Sequence, residues 1–271
     1  MTTGMDWQTQ VGRSWAQMYP QTDRAFAGLT QRLLDRIAGY DGDTVLDVGC
    51  GAGELSIAIA RSRSHAQVIG LDVSPDLIEV ARQRGANHGN VEFVHGDALL
   101  WQRDHFVPQL LVSRHGVMFF DDPLAAFTHL RGISGSGAGL VFSCFRSPRE
   151  NRWASDIADL LELPHTANLH APGPFAFADP QYVEPILHAA GWKEIDFEPV
   201  DFAYIAGMGA DPVDDASGFF SRIGPAAAAL REMEGAAREQ GEARIAEWLE
   251  AHRSNDLVAF AAAAWIVTAK A

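Results

Sequence analysis

The residues of this sequence that could do chemistry sit where apolar runs end. Asp47 stands two residues ahead of the turn Gly49-Cys50-Gly51-Ala52-Gly53, and Glu54 follows that turn directly. Asp72 ends the run Ile69-Gly70-Leu71, Asp97 lies in His95-Gly96-Asp97-Ala98, and His115 follows Ser113-Arg114. A glycine turn between a strand and a helix leaves bare backbone at the strand's carboxyl end, where open α/β sheets bind ligands. A dinucleotide turn would read Gly-x-Gly-x-x-Gly. Here the third glycine comes early, and an acid such as Glu54 beside a pyrophosphate is unfavourable by charge. Asp47 suits a ligand carrying a cationic amino group instead. A carboxylate at Asp72 can accept from both hydroxyls of a ribose, and one at Asp97 from the amino group of adenine. Read singly, Asp47 could be a turn former, Asp72 a helix-capping acid ahead of Ser74-Pro75, and Asp97 a loop acid. Three acids in order at three successive strand ends describe a cradle for an adenosine ligand.

The elements that must position these residues follow from the hydrophobic pattern. Asp6 to Ala38 has helical spacing, broken in two by Pro20. Strands are expected at 44–48, 67–71, 91–94, 109–113 and 139–145, with helices at 53–62, 75–84 and 123–130 between them. Pro75 and Pro123 fit first helical positions, with Ser74 and Asp122 as N-caps. This alternation predicts a parallel sheet with right-handed crossovers. From Ser147 to Ala178 the rhythm stops around one amphipathic stretch, Trp153–Leu163, as expected of an insertion or lid. A helix at 180–190, a strand at 194–203, a polar helix at 226–251 and a closing strand at 258–270 complete the prediction. The division expected is a helical cap (1–40), a ligand-binding core (41–146), the insertion (147–178) and the rest of the sheet (179–271), all in one domain.

With 271 residues, 47% of them apolar, the chain can bury one substantial core and still carry a large insertion. A formal charge of −14 repels a phosphate backbone, so no nucleic-acid partner is expected. Cys50 and Cys144 make no disulfide framework and read as reduced thiols. No run approaches the ~20 apolar residues that cross a bilayer, so no membrane partner is expected. The first residues lack the basic and then apolar pattern of a leader, and a cytoplasmic location is expected. His165 and His170 have no carboxylate cluster beside them, and no metal site is expected.

On Val45–Gly53, Asp72, Gly96-Asp97-Ala98 and Ser113–Phe120, the chain resembles the class I S-adenosylmethionine (SAM)-dependent methyltransferases. The likeness is to the small-molecule group that includes the ubiquinone and menaquinone methyltransferases. It continues through Gly173–Pro180 and Trp265–Ala269, and Gly12-x-x-Trp15 and Asp23 also fit. The resemblance implies a Rossmann-like, doubly wound seven-stranded sheet of order 3-2-1-4-5-7-6 with strand 7 antiparallel. It implies SAM as donor and S-adenosylhomocysteine as product. The donor residues would be Trp15, Asp47, Gly49, Gly51, Ala52, Gly53, Asp72, Val73, Asp97, Ala98 and Ser113. Asp72 would take the ribose, Asp97 and the Ala98 backbone the adenine, and Ser113 the methionine end.

Methyl transfer requires that the acceptor be held at attack distance and water excluded. His115 stands where the family pattern has phenylalanine. It is the candidate catalytic residue, deprotonating a hydroxyl acceptor or orienting a carboxylate, since imidazole titrates in the useful range. A packing role in place of the aromatic is the alternative. Arg114 is read either as the partner of an acid or as a substrate residue. Arg146, with Arg149 and Arg152 near Trp153, suits an anionic or planar substrate or a solvated face. Met118, Trp153 and Phe175 are candidate walls of the acceptor pocket. The expected function is methyl transfer to a small or peptide-like acceptor, O-methylation ahead of C or N. An NAD(P)-dependent oxidoreductase and a non-catalytic SAM-binding protein are the alternatives.

Overall fold

The computed structural model describes residues 4–163 and 168–271, so His165 lies outside the described residues. The chain opens with three helices, α1 (Gly4–Trp7), α2 (Gln10–Gln17) and α3 (Tyr19–Ile37). Pro20 does not merely interrupt the helical pattern: it sits in the first turn of α3, where its missing N–H costs nothing.

The alternating segment follows its pattern closely. It runs β1 (Thr44–Val48), α4 (Glu54–Ser62), β2 (Gln67–Asp72), α5 (Pro75–Gly85), β3 (Val91–His95), β4 (Leu110–Arg114), α6 (Pro123–Ile133) and β5 (Gly139–Phe145). All pairings among these five strands are parallel. Ser74 and Asp122 cap α5 and α6, accepting from Leu77 N and Ala125 N. Every residue of β5 is buried, as expected of a strand covered on both faces.

Beyond β5 come α7 (Arg152–Leu160), α8 (Pro180–Ala189), β6 (Lys193–Met208), α9 (Pro212–Phe220), α10 (Pro225–Glu232), α11 (Gly235–Ala251), β7 (Arg253–Ser254) and β8 (Leu257–Lys270). The strand order is β3-β2-β1-β4-β5-β8-β6, with the two-residue β7 paired to β8. This is the expected order and antiparallel closing strand, with one short strand added. The closing strand is therefore interior to the sheet, and β6 forms the edge.

Two expectations for the C-terminal third are corrected. The helix expected over 226–251 is two helices, because Met233 and Glu234 are extended and Gly235 adopts φ +53°. A further helix, α9, precedes them, its first turn capped by Asp211, which accepts from Asp214 N. The strand expected to stop at Ala203 continues to Met208, pairing with β8 as far as Leu257. Because β5 pairs only with Ala264–Lys270, the outer halves of β6 and β8 project past the parallel sheet as a two-stranded ribbon. Arg24 of α3 ties that ribbon down, donating to the Ile205 and Ala206 carbonyls and pairing with Asp215 of α9 at 2.6 Å. The ribbon thereby becomes a wall facing the carboxyl ends of β1, β4 and β5.

Candidate active site

A cavity of about 280 Å³ opens at the carboxyl ends of the parallel strands. Of the residues singled out in the sequence, Trp15, Asp47, Gly49, Gly51, Ala52, Asp72, Val73, Asp97, Ala98, Arg114, His115, Met118 and Trp153 line it. Gly53, Ser113, Arg146 and Phe175 do not.

The glycine turn is shaped by contact with the loop after β4. A Cβ on Gly49 would fall 2.9 Å from the Gly116 Cα, so the two backbones touch. Gly51, at φ +55°, faces open space with nothing within 4 Å of a Cβ. Gly53 instead turns toward Phe93, behind the cavity wall. Asp72 accepts from Gly51 N and Ser74 N, both at 2.8 Å, so it shapes the turn as well as facing the cavity. Asp97 accepts from Leu99 N at 2.9 Å and stands at the open end.

Asp47 is fully buried. Its Oδ2 accepts from Ser56 Oγ at 2.6 Å, while Oδ1 has no hydrogen-bond partner. Burial pushes its carboxyl up to about 7, against the opposing pulls of the Ser56 hydroxyl and the Arg114 guanidinium. An unsatisfied buried oxygen is costly, and a cationic donor group from a ligand would supply what the protein withholds. Gly51, Asp47, Asp72 and Asp97 together fit the aminoacyl and adenosine parts of SAM.

Ser113 does not face the cavity. Its hydroxyl donates to the Val48 carbonyl at 2.6 Å and accepts from Gly116 N at 3.2 Å, locking the two loops together. Arg114 is the partner of acids: it pairs with Glu54 and with Asp23 Oδ1 at 3.4 Å, and donates to Thr30 Oγ1 at 2.8 Å. Asp23 also pairs with Arg84 at 2.6 Å, and Arg84 donates to the Ala52 carbonyl at 2.8 Å. This network clamps α3 onto the glycine turn. Burial raises the Glu54 carboxyl to about 7, overcoming the Arg114 guanidinium, and neighbouring Asp23 pushes the same way.

At the far end, five rings close on one another. Phe26 meets His115, His115 meets Phe145, Phe145 meets Trp153, Trp153 meets Tyr204, and Tyr204 meets Phe26, with centroids 4.1–5.5 Å apart. All five line the cavity. Burial foremost, then the neighbouring Arg114 charge, lowers His115 to about 3, so it is neutral at physiological pH and does not titrate there. Its backbone is left-handed at φ +62°, a conformation more accessible to histidine than to branched residues.

Arg146 is spent elsewhere, paired with Glu150 and Asp201 and lying 5.2 Å over the Trp265 ring. Arg152 pairs with Asp156. Phe175 packs behind the wall on Phe145, with centroids 5.7 Å apart. Sequence reasoning missed Trp7, whose indole Nε1 is buried and unpartnered at the cavity, and also Phe26 and Tyr204. It also missed Asn151, fully buried. Its amide donates to the Ala263 carbonyl at 2.9 Å and accepts from Ala263 N at 3.0 Å and from Trp153 Nε1 at 3.3 Å. Its side chain fastens the insertion to β8. Among the described residues no cluster of His, Cys, Asp and Glu suits a metal ion, and no helix is long and apolar enough to cross a membrane.

The sheet order, the glycine turn and the strand-end acids define an α/β protein with an acid-lined cavity at the carboxyl ends of its parallel strands. Comparison with known proteins narrows the class. Residues 40–133 match the family model described as a methyltransferase domain. Over 101 residues the chain is 42% identical to demethylmenaquinone methyltransferase of Staphylococcus epidermidis, covering 37% of this chain and 42% of that protein. Over 107 residues it is 28% identical to malonyl-(acyl-carrier protein) O-methyltransferase of a Paenibacillus species, covering 37% of this chain and 38% of that protein. The match thus spans less than half the length of either relative. A solved 4+2 cyclase superposes with a TM-score of 0.57 at 17% identity, over 99% of this chain and 97% of that one, which is a likeness of fold. Over residues 40–133 the chain is thus similar to methyltransferase domains, on a fold it shares with solved proteins along nearly its whole length.

Proposed function

We propose that the protein transfers a methyl group from SAM to a small planar organic acceptor, with oxygen favoured as the methylated atom. The observation that carries this is one cavity with two differently furnished ends. Asp47 Oδ1 is buried without a partner at the donor end, and a closed circuit of rings stands at the other. When bound, SAM supplies an activated methyl, so the protein's work is placement and exclusion of water. Asp47 holds the donor's amino group, Asp72 its ribose and Asp97 its adenine. Trp7, Trp15 and the α3 clamp cover the site. The ring circuit carries no charged side chain and fits a flat apolar body better than a peptide. One of the relatives is named as an O-methyltransferase, which supports oxygen.

Asp47 and the glycine spacing weigh against the oxidoreductase alternative, because a nicotinamide dinucleotide offers no amino cation to the buried carboxylate. The non-catalytic alternative is separated by products. SAM labelled in the methyl group should give labelled ethers or esters from a panel of naphthols and aromatic carboxylic acids, identified by mass spectrometry. SAM binding without labelled product from those classes or from amines would instead favour a non-catalytic binding protein.

A further inference from the structure

We infer that Ser143 fixes His115 in the tautomer carrying its proton on Nε2, and that this N–H recognises a hydrogen-bond-accepting oxygen on the acceptor. Ser143, fully buried in β5, places its Oγ 2.7 Å from His115 Nδ1, and its carbonyl accepts from His115 N at 3.1 Å. The hydroxyl has a single proton, and among the described residues it makes no other hydrogen bond. Left undonated, that proton would be a buried unsatisfied group; donated to Nδ1, it satisfies both partners. Nδ1 is then the acceptor nitrogen, and the ring's own proton resides on Nε2. Nε2 is buried, has no partner in the protein, and belongs to a ring that lines the cavity.

The consequence concerns the substrate, and it rests on the methyl-transfer reading above. A neutral N–H donor cannot take a proton from the acceptor; it can only bond to an oxygen that offers a lone pair. Burial keeps the ring neutral, so this donor persists at physiological pH. Tyr204, on the opposite side of the circuit, has a hydroxyl with no hydrogen bond to any described residue, and burial pushes its phenol up, so it too stays a donor. Two neutral donors in an apolar ring suit an acceptor that arrives already ionised: an aromatic carboxylate, or the anion of an acidic phenol or enol. The oxygen lone pair then forms the new bond to the methyl carbon as the carbon–sulfur bond breaks, sulfur keeping the electron pair. No proton moves. Ser143 is a positioning residue acting through His115.

Protein labelled with ¹⁵N-histidine, with His115→Phe for assignment, gives the tautomer directly from long-range ¹H–¹⁵N correlation spectra. The expected result at pH 7 is a neutral ring with the proton on Nε2; a proton on Nδ1, or an imidazolium, overturns the inference. Ser143→Ala should release the ring to a tautomer mixture, and an unchanged tautomer would show that Ser143 does not set it. With S-adenosylhomocysteine bound, 1-naphthoate should shift the His115 Nε2–H resonance and bind roughly tenfold more tightly than to Ser143→Ala, the worth of one hydrogen bond. Absence of that shift overturns the recognition half. Failure to bind S-adenosylhomocysteine while Nε2–H is present overturns the methyl-transfer reading, and the recognition half with it, but not the tautomer.

Discussion

Trp153 stacks face to face on Tyr204, with ring centroids 4.6 Å apart and planes 3° apart. One residue belongs to the segment that follows β5, the other to the outer half of β6. The stack joins the insertion to the projecting ribbon, and Asn151, two residues from Trp153, pins the same segment to Ala263 of β8.

Replacing Asn151 by alanine strands the Ala263 N–H and the Trp153 indole N–H in the interior, while the Ala263 carbonyl keeps its bond from Arg146 N at 3.0 Å. The expected loss is about 2–4 kcal/mol of unfolding free energy in urea. The near-ultraviolet circular dichroism of the Trp153–Tyr204 pair should weaken even where the protein remains folded. A loss below about 0.5 kcal/mol would mean that the insertion is held by other contacts.

Asp47 links pH to donor binding and to stability with opposite outcomes. Its carboxyl lies at about 7 in the folded protein, against 3.8 for a free aspartate side chain. Folding therefore prefers the protonated acid. Stability is unpenalised below 3.8, is lost as pH rises toward 7, and is constant above it. Binding a cationic amino group needs the ionised form, so below 7, where the ligand's amino group is charged, SAM affinity should climb about tenfold per pH unit. Asp47→Asn should raise the melting temperature of the ligand-free protein at pH 8 by roughly 3 °C or more. It should also abolish the pH dependence of SAM binding and most of its affinity, read by calorimetry.

Gly12 lets α2 lie against the N-cap of α5. A Cβ there would collide with the Trp7 carbonyl oxygen and the Ser74 hydroxyl. Gly12→Ala should displace α1 and α2 while sparing the main hydrophobic core. The expected signature is a red shift in tryptophan emission, from Trp7 and Trp15, with SAM affinity reduced about tenfold or more. Unchanged emission and affinity would remove the covering role assigned to these helices.

His115 holds near 3 through burial and the Arg114 charge. Between pH 5 and 9 it should contribute no titrating limb to kcat/KM. His115→Phe should lower kcat/KM about tenfold for an oxygen acceptor while leaving the shape of the pH profile unchanged. A limb near 6.5 that vanishes in His115→Phe would restore the general-base role.

The parallel half of the fold was legible because its signals are local. Apolar runs, Ser74 and Asp122 as caps, and the glycine turn each act within a few residues, and the strand ends carry Asp47, Asp72 and Asp97 to the cavity with them. The acceptor half is built by distant partners. Tyr204 lies one residue past the expected end of its strand, and nothing local reveals that β8 would keep pairing with it. Asn151 reads as a loop residue until Ala263 is beside it. The partners of Ser113 and Arg146, Val48 and Gly116 for one and Glu150 and Asp201 for the other, meet them only once the chain is folded. Arg114 was legible as the partner of an acid, although which acids could not be read from spacing. The departure at His115 is visible in the sequence, but its burial is not, because Phe26 and Phe145 come to it from other elements.

The central claim is that the glycine turn and its three acids hold SAM. Calorimetric titration of the full chain at pH 8 with SAM, S-adenosylhomocysteine and NAD tests it most directly. The predicted result is micromolar or tighter binding of the first two, lost in Asp47→Asn, with no heat from NAD. Tight NAD binding with neither adenosyl sulfur ligand bound would contradict it.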